Sequence, residues 1–306
     1  MKKSILILGT AILMGSSIFA SCSKESDEMT PVKDMTIAQY ASSDANFSTL
    51  VQALAKANLV NVLNGEGNFT VLAPTNEAFS NLFTKLGVTG IADLSAETLT
   101  PILLYHVLGE EKKSTMLSEG YYNTLSPAQG SFASLMISLN DGVKINKETT
   151  VVAADVDVKN GVIHAIDKVL LPPTVVDQAV SNDSFSILVQ AVVKAGLAGT
   201  LSGNGPFTIF APTNAAFQAL FTKLGISGLN DLTAEQLVPI LKYHVVSGNV
   251  RSNQLTAGSV ATLNGSFNVT LSPSPKINNS SDILATDVQA TNGVIHVIDE
   301  VLLPSK

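Results

Sequence analysis

Gly67-Asn68-Phe69-Thr70-Val71-Leu72-Ala73-Pro74-Thr75-Asn76-Glu77-Ala78-Phe79 returns 138 residues later as Gly205-Pro206-Phe207-Thr208-Ile209-Phe210-Ala211-Pro212-Thr213-Asn214-Ala215-Ala216-Phe217. That period is too long for a solenoid unit and matches the size of a whole domain. Within each copy, Phe69 to Ala73 reads as a short apolar strand ended by Pro74, which has no N–H to give a ladder. Thr75 or Asn76 then offers a cap oxygen to a helix carrying Phe79, Leu82 and Phe83. A strand, a corner and a helix are expected in both halves.

Upstream, Phe47, Leu50, Val51 and Leu54 follow helical spacing, as do Phe185, Leu188, Val189 and Val192. Asp44 and Asn182 precede these helices as expected caps. Downstream, Leu94-Ser95-Ala96-Glu97 and Leu232-Thr233-Ala234-Glu235 open a further helix, with capping-box spacing at Thr233 and Gln236. Pro101 and Pro239 fall inside that pattern and predict a kink or a late start. Tyr105-His106 and Tyr243-His244 come next. The offset then drops to 132 at Lys144-Ile145-Asn146 and Lys276-Ile277-Asn278, so the second repeat lacks six residues. A polar region beyond Leu125 absorbs the loss, which points to a surface hairpin loop. Each repeat closes on Asn160-Gly161-Val162-Ile163-His164 or Asn292-Gly293-Val294-Ile295-His296. Asn-Gly between β-branched runs predicts a tight hairpin whose two turn residues take positive φ. Pro172-Pro173 makes the junction between repeats short and stiff.

The N-terminal stretch reads differently. Lys2 and Lys3 precede an apolar run from Ile5 to Phe19, then Ala20, Ser21 and Cys22. The run is shorter than the ~20 residues of a membrane span, so residues 1–21 are expected to be an export signal. Cys22 is the single cysteine of the chain. Phe19-Ala20-Ser21-Cys22 resembles a bacterial lipobox, and the resemblance implies that Cys22 is lipidated. Several acyl chains would anchor stably where one does not. Residues 22–33, opening Ser23-Lys24-Glu25-Ser26-Asp27-Glu28, form a polar, acidic tether like that of surface-exposed lipoproteins. Outer-membrane attachment is expected, with the domains exposed at the surface.

Loss of residues 1–21 removes two lysines and takes the net charge from −7 to −9. An acidic chain argues against a nucleic-acid partner, which wants a basic face. Charged residues make up only 14%, so Ser, Thr, Asn and Gln carry the surface, as suits contact with glycans.

The motifs Phe-Thr-x-x-Ala-Pro-Thr-Asn-x-x-Phe, Tyr-His and Asn-Gly-Val-Ile-His-x-Ile-Asp-x-Val-Leu occur in order and twice. Together they resemble two tandem fasciclin domains, at residues 34–173 and 174–306. The resemblance implies an α+β fold, each domain a β-sandwich-like wedge core with several packed helices. It also implies an extracellular or cell-surface role in adhesion to matrix proteins, glycans or cells, with no shared catalytic activity. Animal members have been assigned integrin binding through the Tyr-His pair, which makes Tyr105, His106, Tyr243 and His244 candidate binding residues beside Leu103, Leu104, Val107 and Leu108, although a structural role is the plainer reading of both pairs. A second adhesion determinant of the family, an Asp-Ile pair, aligns here with Asp155-Val156 and Asp287-Val288. Asp155 and Asp287 are the remaining binding candidates, although Asp-Val departs from the pattern. Loop and strand-end hydrogen bonding is the plainer reading of both aspartates.

Chemistry finds little support in the residues. The four histidines belong to the repeat and lack the spacing of a metal site. His164 alternates with Val162 and Ile166, which points it into the core. A Gly-x-Ser-x-Gly elbow and a phosphate-binding glycine loop are missing. The expectation is a non-catalytic, cofactor-free, lipid-anchored module that recognises an extracellular glycan or a matrix or surface protein. The alternative is a periplasm-facing structural or accessory lipoprotein of an envelope or glycan-uptake complex.

Overall fold

In the computed structural model of the chain, residues 30–304 are described, so the expected signal segment and Cys22 lie outside the described residues. The first repeat begins with helices α1 (Ile37–Ser43), α2 (Ser48–Lys56) and α3 (Val60–Asn64). Strand β1 (Phe69–Pro74), α4 (Asn76–Leu86), α5 (Ala96–Tyr105) and β2 (Val107–Leu108) follow. A run of strands completes it: β3 (Gly120–Ala128), β4 (Ser131–Ser138), β5 (Lys144–Ile145), β6 (Thr149–Val158) and β7 (Gly161–Ile166).

The second repeat has the same order: α6 (Val175–Val180), α7 (Ser186–Lys194), α8 (Ala198–Leu201), β8 (Phe207–Pro212), α9 (Asn214–Leu224) and α10 (Ala234–Tyr243). After them come β9 (Val245–Ser247), β10 (Gly258–Thr262), β11 (Gly265–Thr270), β12 (Lys276–Ile277), β13 (Ser281–Ala290) and β14 (Gly293–Ile298).

The repeated motif does what its residues dictate. Thr75 and Thr213 are the N-caps of α4 and α9, accepting from Ala78 N and Ala216 N at 3.3 Å. Asn76 ties helices together: its Nδ2 donates to Ala45 O at 2.8 Å, and its Oδ1 accepts from Thr49 N at 2.9 Å. Gly87 and Gly225 end the helices in the left-handed conformation, at φ 68° and 65°. Pro101 does not delay α5. That helix starts at Ala96 behind the Ser95 cap and runs through the proline, whose missing N–H withdraws a bond only from Glu97 O in the first turn.

β1 pairs parallel to β7, and the other pairings are antiparallel. In the first repeat the seven strands close into a barrel, because β2 reaches β3 at Leu108 and Thr124. In the second repeat the seven strands form an open sheet from β10 to β9. There a single bond, Leu263 N to Val245 O at 2.8 Å, spans the gap. Each repeat holds two cores, one on either side of its central strands. Val71 and Ala73 face helices α1, α2 and α5, while Leu72 faces the barrel interior with Tyr105, Leu135 and Ile166. That two-sided burial explains why Val71, Leu72 and Ala73 are consecutively apolar instead of alternating with polar residues.

The closing Asn-Gly pair behaves otherwise than its composition predicts. Val158 pairs with Gly161, so the two-residue turn is Lys159-Asn160, and Asn160 is not left-handed. Gly161 is already the first residue of β7. A Cβ there would sit 2.0 Å from Phe69 O, and one on Gly293 would sit 2.2 Å from Phe207 O. Glycine is needed for close approach of two backbones. Asn160 serves as a bracket, accepting from Ile37 N at 2.9 Å and donating to Leu63 O and Gly65 O at 2.8 Å. Asn292 repeats it with Val175 N, Leu201 O and Gly203 O.

Candidate functional site

The Tyr-His pairs sit where α5 and α10 run into β2 and β9, and they are core residues. Tyr105, His106, Tyr243 and His244 are all buried. Tyr105 Oη donates to Ser134 O at 2.8 Å and accepts from Asn146 Nδ2 at 3.0 Å; Tyr243 Oη donates to Ser266 O at 2.8 Å. His106 Nδ1 donates to Ile102 O at 2.8 Å, and Nε2 accepts from Leu170 N at 2.9 Å. His244 does the same with Ile240 O and Leu302 N. The carbonyl must accept and the amide must donate, which assigns the proton to Nδ1 and makes each ring neutral. Burial pushes both imidazoles down to about 4, and it pushes the Tyr105 hydroxyl up. As placed, the four side chains offer no outer surface to a protein or glycan. The flanking Leu103, Val107 and Leu108 are buried with them.

Asp155 and Asp287 do reach the surface, and both have positive φ, 62° and 63°. Each lies at a register shift of its strand, where a bulge re-aims the side chain. Ser114 donates to Asp155 through its amide at 2.7 Å and its hydroxyl at 2.5 Å. Asp287 receives the amide of Ser252 at 2.7 Å and also its hydroxyl. Burial alone would raise the Asp155 carboxyl, but the two Ser114 bonds, with Lys113 nearby, outweigh it and hold the group below the usual carboxylate range. His164 Nδ1 accepts from Asp155 N at 3.1 Å, and its Nε2 donates to Lys112 O at 2.9 Å. His296 is arranged alike with Asp287 N and Val250 O.

Serine, aspartate and histidine are therefore neighbours in each repeat, but their wiring is not that of a nucleophilic triad. The serine hydroxyl bonds the carboxylate, and both imidazole nitrogens are occupied by backbone, so no base faces the serine. What the cluster does is hold the loop after β2 against the barrel. Thr70 adds to this, donating to Glu110 O at 2.6 Å and accepting from Lys112 N at 2.8 Å.

The fasciclin domain family matches residues 45–172 and again 183–304. The chain belongs to that family. A Synechocystis protein, sll1483, is 46% identical over 132 residues, covering 43% of this chain and 73% of that protein. Pig transforming growth factor-beta-induced protein ig-h3 is 33% identical over 272 residues, covering 85% of this chain but only 37% of its own length. Human periostin is 27% identical, with 79% of this chain and 29% of periostin covered. The chain thus spans well under half of these animal relatives. Among solved structures, a FAS1 domain pair from the insect cell adhesion molecule fasciclin I aligns at TM-score 0.49 and 20% identity, covering 85% of this chain and 97% of that one.

Between the two fasciclin repeats lies a feature that sequence reasoning missed. The six residues extra to the first repeat lengthen the β3–β4 hairpin, and its tip lies against the second repeat. Gln129 Nε2 donates to Thr291 O at 2.9 Å. Buried Gln178 donates to Ser134 O at 2.5 Å and Gln289 O at 3.3 Å, while Gln289 N donates to Ser134 Oγ at 3.1 Å. Tyr121 packs against the core of the second repeat and accepts from Asn182 Nδ2 at 3.0 Å, and burial pushes its hydroxyl up to about 12. Pro173 O receives both the amide and the hydroxyl of Thr291, at 2.8 and 2.9 Å. From Pro31 onward the chain accordingly forms one compact unit. The only signal of this clasp in the sequence is the length difference itself.

Among the described residues, no group of three or more His, Cys, Asp or Glu is placed to hold a metal ion. No described helix is long and apolar enough to cross a membrane.

Proposed function

We propose that this protein is a cell-surface adhesion or binding module. It is anchored in the outer membrane by acyl chains on Cys22, and its fasciclin repeats recognise an extracellular glycan or a matrix or surface protein without catalysing a reaction. Fasciclin domains are known in cell adhesion proteins, which supports the adhesive part of the reading. The observation that carries it furthest is the clasp between repeats. A module that connects an anchor to a distant ligand must keep its domains in line under load, and a buried polar network does this where a free linker cannot. The Ser-Asp-His clusters support the non-catalytic part, since their hydrogen bonds are spent on holding loops.

Protease shaving of intact cells tests the reading, scored with antibody against the folded repeats and run beside Cys22→Ala. Expected are loss of signal from intact wild-type cells and release of the Cys22→Ala protein from the membrane fraction. Protection of the wild type until the outer membrane is broken would overturn surface exposure and favour an envelope complex facing the periplasm.

A further inference from the structure

Helices α6 and α7 do not close completely over the sheet of the second repeat. Beneath them lies a cavity of about 90 Å³, walled by Val175, Ala179, Leu188, Val192, Ile209 and Ile295. The one polar side chain on its wall is His244, and both its ring nitrogens are already bonded, to Ile240 O and Leu302 N. A water molecule needs two to four polar partners to settle in such a space, and none is on offer here. A volume with room for several water-sized spheres and no polar wall is suited to an apolar guest.

The mouth has the same character. Val180 and Val193 stand at its rim, 46% and 64% exposed, so the apolar path continues from the cavity out to solvent. The first repeat differs at the matching positions of the same frame. Ile37 and Leu54 replace Val175 and Val192, each with one more carbon, and the rim positions hold Ser42 and Ala55. The second repeat is larger at Phe210, which stands for Leu72, at Ile209, which stands for Val71, and at Val176, which stands for Ala38. The difference therefore lies at positions 175 and 192, where the helix side chains are one carbon shorter, and in how apolar the helices make the entrance.

We propose that this cavity binds a saturated alkyl chain, with the tail among the valines and the polar head in water beyond the rim. A tail is favoured because the cavity is open at one side and offers a buried head group no hydrogen-bond partner. Its methylenes can also follow aliphatic walls of uneven shape. The proposal is independent of the adhesion reading.

Methyl NMR on residues 22–306, titrated with octanoate below its micelle concentration, tests it. Expected are saturable shifts at the methyls of Val175, Val192 and Ile295, with Ile37 and Leu54 unmoved as internal controls. Butanoate should bind at least about tenfold more weakly, because it buries fewer methylenes. Installing the first repeat's residues, Val175→Ile with Val192→Leu, should weaken octanoate binding at least tenfold while leaving the melting temperature equal or higher. The two single variants, measured alongside, decide the matter if the double variant unfolds. A second titration with a lysophospholipid assigns the source of the chain. Binding there too points to a lipid-borne tail, and binding of octanoate alone points to a free acid. Unsaturable shifts, equal shifts in the first repeat, no dependence on chain length, or undiminished binding by folded filled variants would each overturn the proposal.

Discussion

Mild acid should destabilise both repeats through buried histidines. These are His106 in the first and His244 with His296 in the second, all three held below the ordinary imidazole value by burial. His106 and His244 are neutral in the fold and held near 4 by burial, against an ordinary 6.5. Unfolding releases each ring to take up a proton at the higher value, so below pH 6.5 the unfolded chain binds more protons. The stabilisation is then fully present above about pH 6.5, declines as pH falls, and is exhausted once pH has passed about 4. The gap from 6.5 to about 4 corresponds to about 3 kcal/mol per histidine, of which about 2 kcal/mol is already lost at pH 5. Against a total of 5–15 kcal/mol for an ordinary domain, that loss is large. Urea unfolding at closely spaced pH values from 8 to 4.5 reads it, with fluorescent probes placed separately in each repeat. Titration of the ring protons by NMR reads the cause. His106→Gln should lower the stability of the first repeat at pH 7 and flatten its pH slope, leaving the second repeat's slope in place. A flat profile between pH 6.5 and 4.5, or ring protons of His106 titrating near 6.5, would refute the reasoning. The first outcome would mean no difference in proton binding, and the second would mean that water reaches the ring.

Two further outcomes are expected. Gly161→Ala should cost roughly 3 kcal/mol or more, since its Cβ falls 2.0 Å from Phe69 O in a pair of strands that cannot separate without breaking the barrel; a melting temperature within a few degrees of the wild type would show that β1 and β7 can move apart. Gln178→Ala removes the buried side-chain bond that crosses to Ser134 O of the first repeat, together with the one to Gln289 O, and should cost about 1–3 kcal/mol. Small-angle scattering should then show a longer, more variable particle, and an unchanged profile would place the rigidity in the Pro172-Pro173 junction.

The sequence by itself determined the repeat, the fold family and most local structure, because these depend on contacts close along the chain. Caps at Thr75 and Thr213, helix stops at Gly87 and Gly225, and the apolar spacing of Phe47, Leu50 and Leu54 need only a few neighbouring residues to take effect. His164 too was legible as a core residue, from alternation alone. The role of Gly161 was not. Its composition fits a turn, and only the passage of β1 alongside, some ninety residues earlier in the chain, gives the glycine its steric reason. The Tyr-His pairs gave no sign of how completely they are buried, because Leu170 and Leu302, which close over the imidazoles, lie far ahead in sequence. Most of all, the clasp was invisible. Six extra residues look like a slack loop until Gln129 and Ser134 of the hairpin are brought against Gln178 on α6 and Gln289 on β13. A hydrogen bond has meaning only when both partners are placed, and tertiary structure alone places partners that share no local pattern.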